Sequence, residues 1–351
     1  MAANRYRSLA DEVYARQNPD NLILEKSIAD ELSSVSYSDV LYYVRIAMNG
    51  VNPTYTQKSK LAGEYVKDHL VAGGLKNVTF EYQGSVMTNT HIKGTSDIDL
   101  LAISDKFYSR SIFEVNTILS DNNIQNKYYP SQIERLALEQ GRPYYSGSEA
   151  DLAKLRYDSE AILTDVYSVI EKRKPKSIKI TNTNLKRDVD IVIANWYDDI
   201  RSIVNGKGGY RGIQIYHKDK NTVGTPDYPF LSIERINAKS SETGGRLKKM
   251  IRFLKNVKAK SSLGIDLNSF EFNAITYDIA KEKYSGLAYY ELVYIIYQQI
   301  RSLCSSQIIS DSLQSVDESE YIFRNKPDKL ESLKTLLIEI ESIYYDLNSA
   351  I

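Results

Sequence analysis

Cysteine is almost missing from this chain: Cys304 is the only one in 351 residues. One thiol cannot form an internal disulfide or build a cysteine-based metal site, and such sparing use of cysteine suits a reducing cytosol. Histidine is nearly as scarce. His69, His91 and His217 lie far apart and at none of the spacings of a zinc centre. Net charge is absent too, because 45 basic residues balance 45 acidic ones, which argues against a protein that coats nucleic acid along its whole surface. No run approaches 18 apolar residues, so no membrane span is expected. The opening stretch, MAANRYRSLADEVYARQ, has no apolar segment, so no signal peptide is expected and the location implied is cytoplasmic. One Trp and 8 Phe stand against 28 Tyr. The tyrosines are spread along the chain and read mainly as amphipathic filler of core and surface.

What is present is enough apolar material, 42% of residues, for a sizeable core, and a length that suggests about two domains or one large bilobal unit. The first seventy residues read as helical: Ile28, Leu32, Val40, Leu41, Val44 and Met48 recur at near-helical intervals, and Leu61, Tyr65, Val66 and Leu70 resume the pattern after Pro53. Strands are expected at 77–83 (NVTFEYQ), 97–103 (DIDLLAI), 177–181 (SIKIT), 188–194 (DVDIVIA) and 212–216 (GIQIY), with a helix over about 149–172. Beyond 223–229 (VGTPDYP) the helical pattern dominates, with apolar stripes through Leu247, Met250, Ile251, Leu254 and Val257, then 287–303, then Leu330, Leu333, Leu337, Ile340 and Tyr344.

The most informative stretch is 84–103, GSVMTNTHIKGTSDIDLLAI. Residues two apart on a strand share a face, so Asp97 and Asp99 project together, while Ile98, Leu100, Leu101 and Ile103 anchor the strand. Paired carboxylates repel unless a cation sits between them, and Mg²⁺ suits that place because it takes hard oxygen ligands. Gly84-Ser85 offers close backbone approach, a hydroxyl and amide N–H groups at an expected helix start, a combination that binds phosphate. A later acidic strand carries Asp188 and Asp190; Asp190, in the more apolar surroundings, fits a third metal ligand. Taken singly, each part has a plainer reading, a solvated strand face or an ordinary turn.

Together, Gly-Ser, eleven intervening residues, D-x-D inside an apolar strand and a later acidic strand resemble the DNA polymerase β nucleotidyltransferase superfamily. Within it the chain resembles the cGAS/DncV-like nucleotidyltransferases (CD-NTases), bacterial relatives of cGAS and oligoadenylate synthase. The resemblance rests on QGSVMTNTHIKGTSDIDLL at 83–101 with Tyr55-Thr56-Gln57-Lys58 before it; on VDIVIA at 189–194, where the family often has Pro in place of Ile193; and on the basic helix LKKMIRFLKNVK at 247–258 followed by Ser269-Phe270. It spans roughly residues 20–348.

The resemblance implies a cytoplasmic enzyme of antiphage (CBASS) signalling that joins NTPs into a cyclic di- or trinucleotide read by a downstream effector. A ribose hydroxyl would attack the α-phosphate of an NTP, pyrophosphate would leave, and two metal ions, Mg²⁺ or Mn²⁺, would clamp the attacking and leaving oxygens. By motif position Asp97, Asp99 and Asp190 would be the catalytic metal ligands, with Asp190 helping to deprotonate the attacking hydroxyl. Gly84 and Ser85 would hold the donor triphosphate. Lys249 and Arg252 best match the cations that neutralise it, with Lys255 as a third; Ser269 would meet a phosphate and Phe270 would stack on a base.

Plainer readings stand beside these. Lys248, Arg252 and Lys255 fall on one helical face and could be a solvated cationic surface, and Phe270 and Phe272 could be core residues. Gly244-Gly245 suit a tight entry turn. The basic stretch 172–187 reads as a solvated loop and strand edge rather than a docking surface, and no nucleic-acid activator is expected. His91 reads as structural or substrate-adjacent. The expected architecture is an α/β (α+β), bilobal protein: helices and a nucleotidyltransferase core with a mixed sheet over 1–222, and a helical C-terminal lobe over 223–351. Two other functions share these residues: a nucleotidyltransferase acting on RNA, protein or a small molecule, and a catalytically inactive nucleotide-binding relative.

Overall fold

The computed structural model describes residues 2–17, 39–92 and 97–350. The readings placed on Ile28 and Leu32 lie outside the described residues. By contact density the chain divides into two units. One comprises the described parts of Met1–Thr56, Ser85–Ser96 and Arg235–Ile351; the other comprises Gln57–Gly84 and Asp97–Glu234. This differs from the expected division at 222/223, since the first helices join the C-terminal helices rather than the sheet. The reason is apolar complementarity. Tyr6, Ala10 and Val13 and then Val40, Tyr43, Val44 and Ala47 are buried in one cluster with Leu247, Ile251, Leu336, Ile340 and Leu347.

The helical unit contains α1 (Ala2–Gln17) and α2 (Asp39–Met48), and the start of α3 (Pro53–Ala72), where Pro opens the helix and the Asn52 side chain accepts from Thr54 N–H at 2.8 Å.

The sheet unit follows. It holds β1 (Val78–Gln83), β2 (Ile98–Arg110), α4 (Ile112–Ser120), α5 (Asn122–Gln125), α6 (Pro130–Gln140) and α7 (Ser148–Val166). Then come β3 (Ile170–Glu171), β4 (Ile178–Asn182), β5 (Arg187–Asp198), α8 (Ile200–Val204), β6 (Gly212–His217) and β7 (Thr222–Val223). Among the described residues these strands form a seven-stranded mixed sheet in the order β1-β2-β5-β4-β3, with β6 also paired to β5 and β7 to β6. Only the central pair, β2 and β5, is parallel. Leu100–Ile103 on β2 and Ile191–Ala194 on β5 are buried, as a parallel pair covered on both faces requires. The strand starts differ: Asp99 and Asp190 are each flanked by buried residues and are themselves only partly covered.

After α9 (Pro229–Glu242) the helical unit resumes with α10 (Arg246–Lys260), α11 (Ser269–Asp278), α12 (Glu291–Ser305), α13 (Gln307–Ser312) and α14 (Pro327–Asn348). Gly244 and Gly245 enter α10 with φ of 56° and 82°, left-handed backbone that glycine adopts without a β-carbon clash. The apolar stripe expected from the sequence is buried: Leu247, Met250, Ile251, Leu254 and Val257 all face the core, together with Phe253.

Candidate active site

Strand register assembles the carboxylates. Asp99 on β2 lies directly beside Asp190 on β5, and Asp190 in turn lies opposite Lys179 on β4. Adjacent strands are about 4.8 Å apart, and side chains directly across from one another share a face. By the two-residue period Asp97 shares the face of Asp99, and Asp188 that of Asp190. Four carboxylates therefore share one face at the start of two neighbouring strands. Burial, then the charges of Asp190 and Asp97, push the Asp99 carboxyl up to about 7.

Two lysines and two hydroxyls answer part of this charge. Lys179 Nζ lies 2.6 Å from Asp97 Oδ2 and 2.9 Å from Asp188 Oδ2. Lys174 Nζ lies 3.4 Å from Asp190 Oδ1, and Ser177 donates to the same oxygen at 3.2 Å. Thr181 donates to Asp188 Oδ1 at 2.6 Å. Residues 173–176 are exposed, as the reading of 172–187 as a solvated loop and edge has it, but Lys174, Ser177 and Lys179 from that stretch also reach the carboxylates, which that reading lacked. The missed signal is the alternation in SIKIT, which sets Ser177, Lys179 and Thr181 on one face of β4.

Arg156 on α7 holds the loop that carries Lys174 and Ser177. It is 1% exposed, and its Nη2 donates to the carbonyls of Lys172, Lys174 and Ser177 at 3.3, 3.0 and 2.9 Å. Its Nε is 2.7 Å from Glu160, which also takes Lys218, whose backbone N–H bonds the Pro175 carbonyl.

Gly84 ends β1 with φ of 83°, and a β-carbon there would stand 2.5 Å from Asp99 Oδ2. The expected helix start after it is not found. Residues 85–89 form a turn, in which the Ser85 carbonyl accepts from Thr90 N–H at 2.9 Å and Thr88 Oγ1 at 3.2 Å. Residues 93–96 of the motif lie outside the described residues. His91 is buried, with Nε2 3.0 Å from Thr56 Oγ1, in keeping with the structural reading.

The donor set fits a divalent cation in kind, being hard carboxylate oxygens with too little positive charge among them. As they stand, no group of three His, Cys, Asp or Glu among the described residues is arranged to hold a metal ion. Asp97 is turned to Lys179 instead.

The basic helix α10 shows the opposite imbalance. Among the described residues no carboxylate lies within ion-pair distance of Lys248, Lys249, Arg252 or Lys255. Burial and neighbouring arginines lower Lys248 and Lys249, and burial with Arg252 pushes Lys255 down to about 7. Lys248 and Lys249 are half-exposed. Arg252 is not at the surface: it is buried, and it donates through Nε to the Met48 carbonyl at 2.9 Å and through Nη1 to Asn89 at 2.7 Å. Its two bonds brace α2 and the turn that begins at Ser85, a use that the helical spacing did not reveal.

Ser269 is the exposed first residue of α11, capped by Asn268, whose Oδ1 accepts from Phe270 N–H at 2.7 Å while Glu271 reaches back to Asn268 N–H. Phe270 is half-buried against the helical core, and Phe272 is fully within it.

A mixed sheet with paired acidic strand starts, beside a glycine turn, defines a nucleotidyltransferase. The comparisons with known proteins agree and go further. Residues 234–344 match the family model of the cGAS/DncV-like nucleotidyltransferase C-terminal helical domain. A c-di-GMP synthase of Capnocytophaga granulosa is 52% identical, over 99% of both chains. A c-di-GMP synthase of a Lachnospiraceae bacterium is 43% identical, over 99% of this chain and 100% of that one. The solved structure of a STING-associated CdnE c-di-GMP synthase from Flavobacteriaceae sp. superposes with a TM-score of 0.86 at 37% identity, covering 97% and 98% of the two chains. The chain belongs to the cGAS/DncV-like nucleotidyltransferase family and is a cyclic-oligonucleotide synthase.

Proposed function

We propose that this enzyme condenses two GTP molecules into cyclic di-GMP with release of two pyrophosphates. We further propose that it does so with Mg²⁺ or Mn²⁺, in the cytoplasm, as the signal-producing step of an antiphage (CBASS) response read by a STING-type effector. The base and effector follow from the names carried by full-length relatives at 36–52% identity. No helix among the described residues is long and apolar enough to cross a membrane.

The observation that carries the chemistry is the row Asp99–Asp190, in which burial and the charges of Asp190 and Asp97 push the Asp99 carboxyl up to about 7. A divalent cation held by Asp97, Asp99 and Asp190 would neutralise the attacking and leaving oxygens of an in-line displacement. Asp190, with Oδ1 taken by Ser177 and Lys174, would receive the hydroxyl proton on Oδ2. The missing β-carbon of Gly84 keeps Asp99 reachable. Lys249, half-exposed and short of anions, would take the triphosphate charge, with Ser85 and Ser269 as hydroxyl donors, Phe270 as the stacking ring and Arg252 bracing the Ser85 turn.

The test is product analysis: purified protein with GTP, ATP, CTP and UTP singly and mixed, with Mg²⁺ or Mn²⁺, then phosphatase and mass spectrometry. Cyclic di-GMP from GTP alone is expected. A product that requires a second base would overturn the guanine assignment, and no cyclic product in any mixture would overturn the proposed condensation.

A further inference from the structure

Lys179 occupies an unusual position. It projects from β4 directly opposite Asp190, yet its ammonium is bonded to the two carboxylates diagonal to that row, Asp97 at 2.6 Å and Asp188 at 2.9 Å. Lys174 and Ser177 engage Asp190. Asp99, in the middle, has no ion-pair partner among the described residues. Asp188 is held independently by Thr181, directly across from it in register.

We propose, resting on the metal reading above, that Lys179 is a tethered cation that fills the carboxylate face before a divalent ion binds, and that Asp188 is the anchor to which it withdraws when that ion takes Asp97. Asp97 cannot serve the metal and remain 2.6 Å from an ammonium without setting a single charge against a double one at close range. At about 5 Å in water that repulsion weakens cation binding by roughly tenfold, and by more in the partly covered site. Lys179 can leave Asp97 without losing its other partner, because its tether spans both oxygens already. The fourth carboxylate, which the metal set does not need, thereby acquires a role: it positions Lys179. The arrangement protects the metal-free strands from their own repulsion and weakens binding of a bare cation.

The experiment titrates Mn²⁺ into nucleotide-free protein and follows loss of the free-ion signal by electron paramagnetic resonance, with heat denaturation alongside. Lys179→Met should bind Mn²⁺ roughly tenfold more tightly than wild type, melt lower without metal and gain more from Mn²⁺. Asp188→Asn, which leaves Lys179 on Asp97 alone, should bind Mn²⁺ several-fold more weakly. In Lys179→Met/Asp188→Asn that loss should disappear, because Asp188 acts through the lysine. Unchanged or weaker affinity in Lys179→Met overturns the proposal while the metal reading stands. A loss in Asp188→Asn that persists in the double variant overturns the anchor role. If Mn²⁺ binds neither wild type nor Lys179→Met, or binds Asp99→Asn as well as wild type, the metal reading falls and this inference with it.

Discussion

Gly84 and Asp99 are paired by proximity: the backbone of one passes so close to the carboxylate of the other that a β-carbon would meet Oδ2 at 2.5 Å. Gly84→Ala also forces a side chain into left-handed backbone, which costs about 1–3 kcal/mol. The variant should therefore lose that much unfolding free energy in urea. It should also lose far more turnover than the stability change explains, because Asp99 must move. Normal turnover in a destabilised but folded variant would show that the close approach has no part in the reaction.

Asp99→Asn keeps the shape and removes the charge that Asp190 and Asp97 oppose. Metal-free protein should melt at the same temperature or higher, while cyclic product falls by roughly a thousandfold or more. Calorimetry and product assay read the two effects separately. A lower melting temperature would mean that the Asp99 carboxylate stabilises the fold.

Arg156→Leu breaks a buried ion pair with Glu160 and frees the carbonyls of Lys172, Lys174 and Ser177. Leaving buried partners uncompensated costs about 3–5 kcal/mol. Amide hydrogen exchange should rise across 172–177, and the metal-free Asp190 should lose its Ser177 and Lys174 contacts. Unchanged exchange in that loop would sink the tether.

Lys255 gives a pH signature. Its ammonium is pushed down to about 7 in the fold, against 10.5 when exposed, by burial and by Arg252. Between those values the unfolded chain holds the proton and the fold does not, so stability rises with pH across that window. Lys255→Met should exceed wild type in melting temperature near pH 6.5, and the gap should shrink towards pH 9.5. A gap constant over that range would place the proton elsewhere.

The sequence was most readable where pattern and packing agree. The alternation in DIDLLAI and DVDIVIA placed two acidic strands, and the three-and-four spacing of Leu247, Met250, Ile251 and Leu254 placed the basic helix with its buried stripe. Register is another matter. That Asp99 meets Asp190, and Asp190 meets Lys179, depends on how strands far apart in the chain align, and no local period records it. Arg252 illustrates the same limit on a helix. Its spacing marked a cationic face, but packing of the described helices buried it against the carbonyls of Met48 and Asn89. The helices over 112–140 were not anticipated, although Val115, Ile118 and Leu136 form a small core with Ile203 and Val204. Helix α1, grouped from sequence with the nucleotidyltransferase core over 1–222, instead bonds α14 through Tyr6 and Asp346.

That last contact sets a timetable for synthesis. Tyr6 and Asp346 are 340 residues apart, and Arg5 finds Glu339 over a similar separation. At about 5–20 residues per second, α1 leaves the ribosome roughly 20–70 s before α14, whose Asp346 it bonds, exists. Throughout that interval Tyr6, Ala10 and Val13 have Val40, Tyr43, Val44 and Ala47 of α2 to pack on but lack Ile340 and Leu347 of α14, while the sheet strands, whose partners emerge sooner, can already pair. Closure of the helical cluster is thus paced by translation of α14, whereas the carboxylate-bearing strands β2 and β5 are complete about 150 residues earlier.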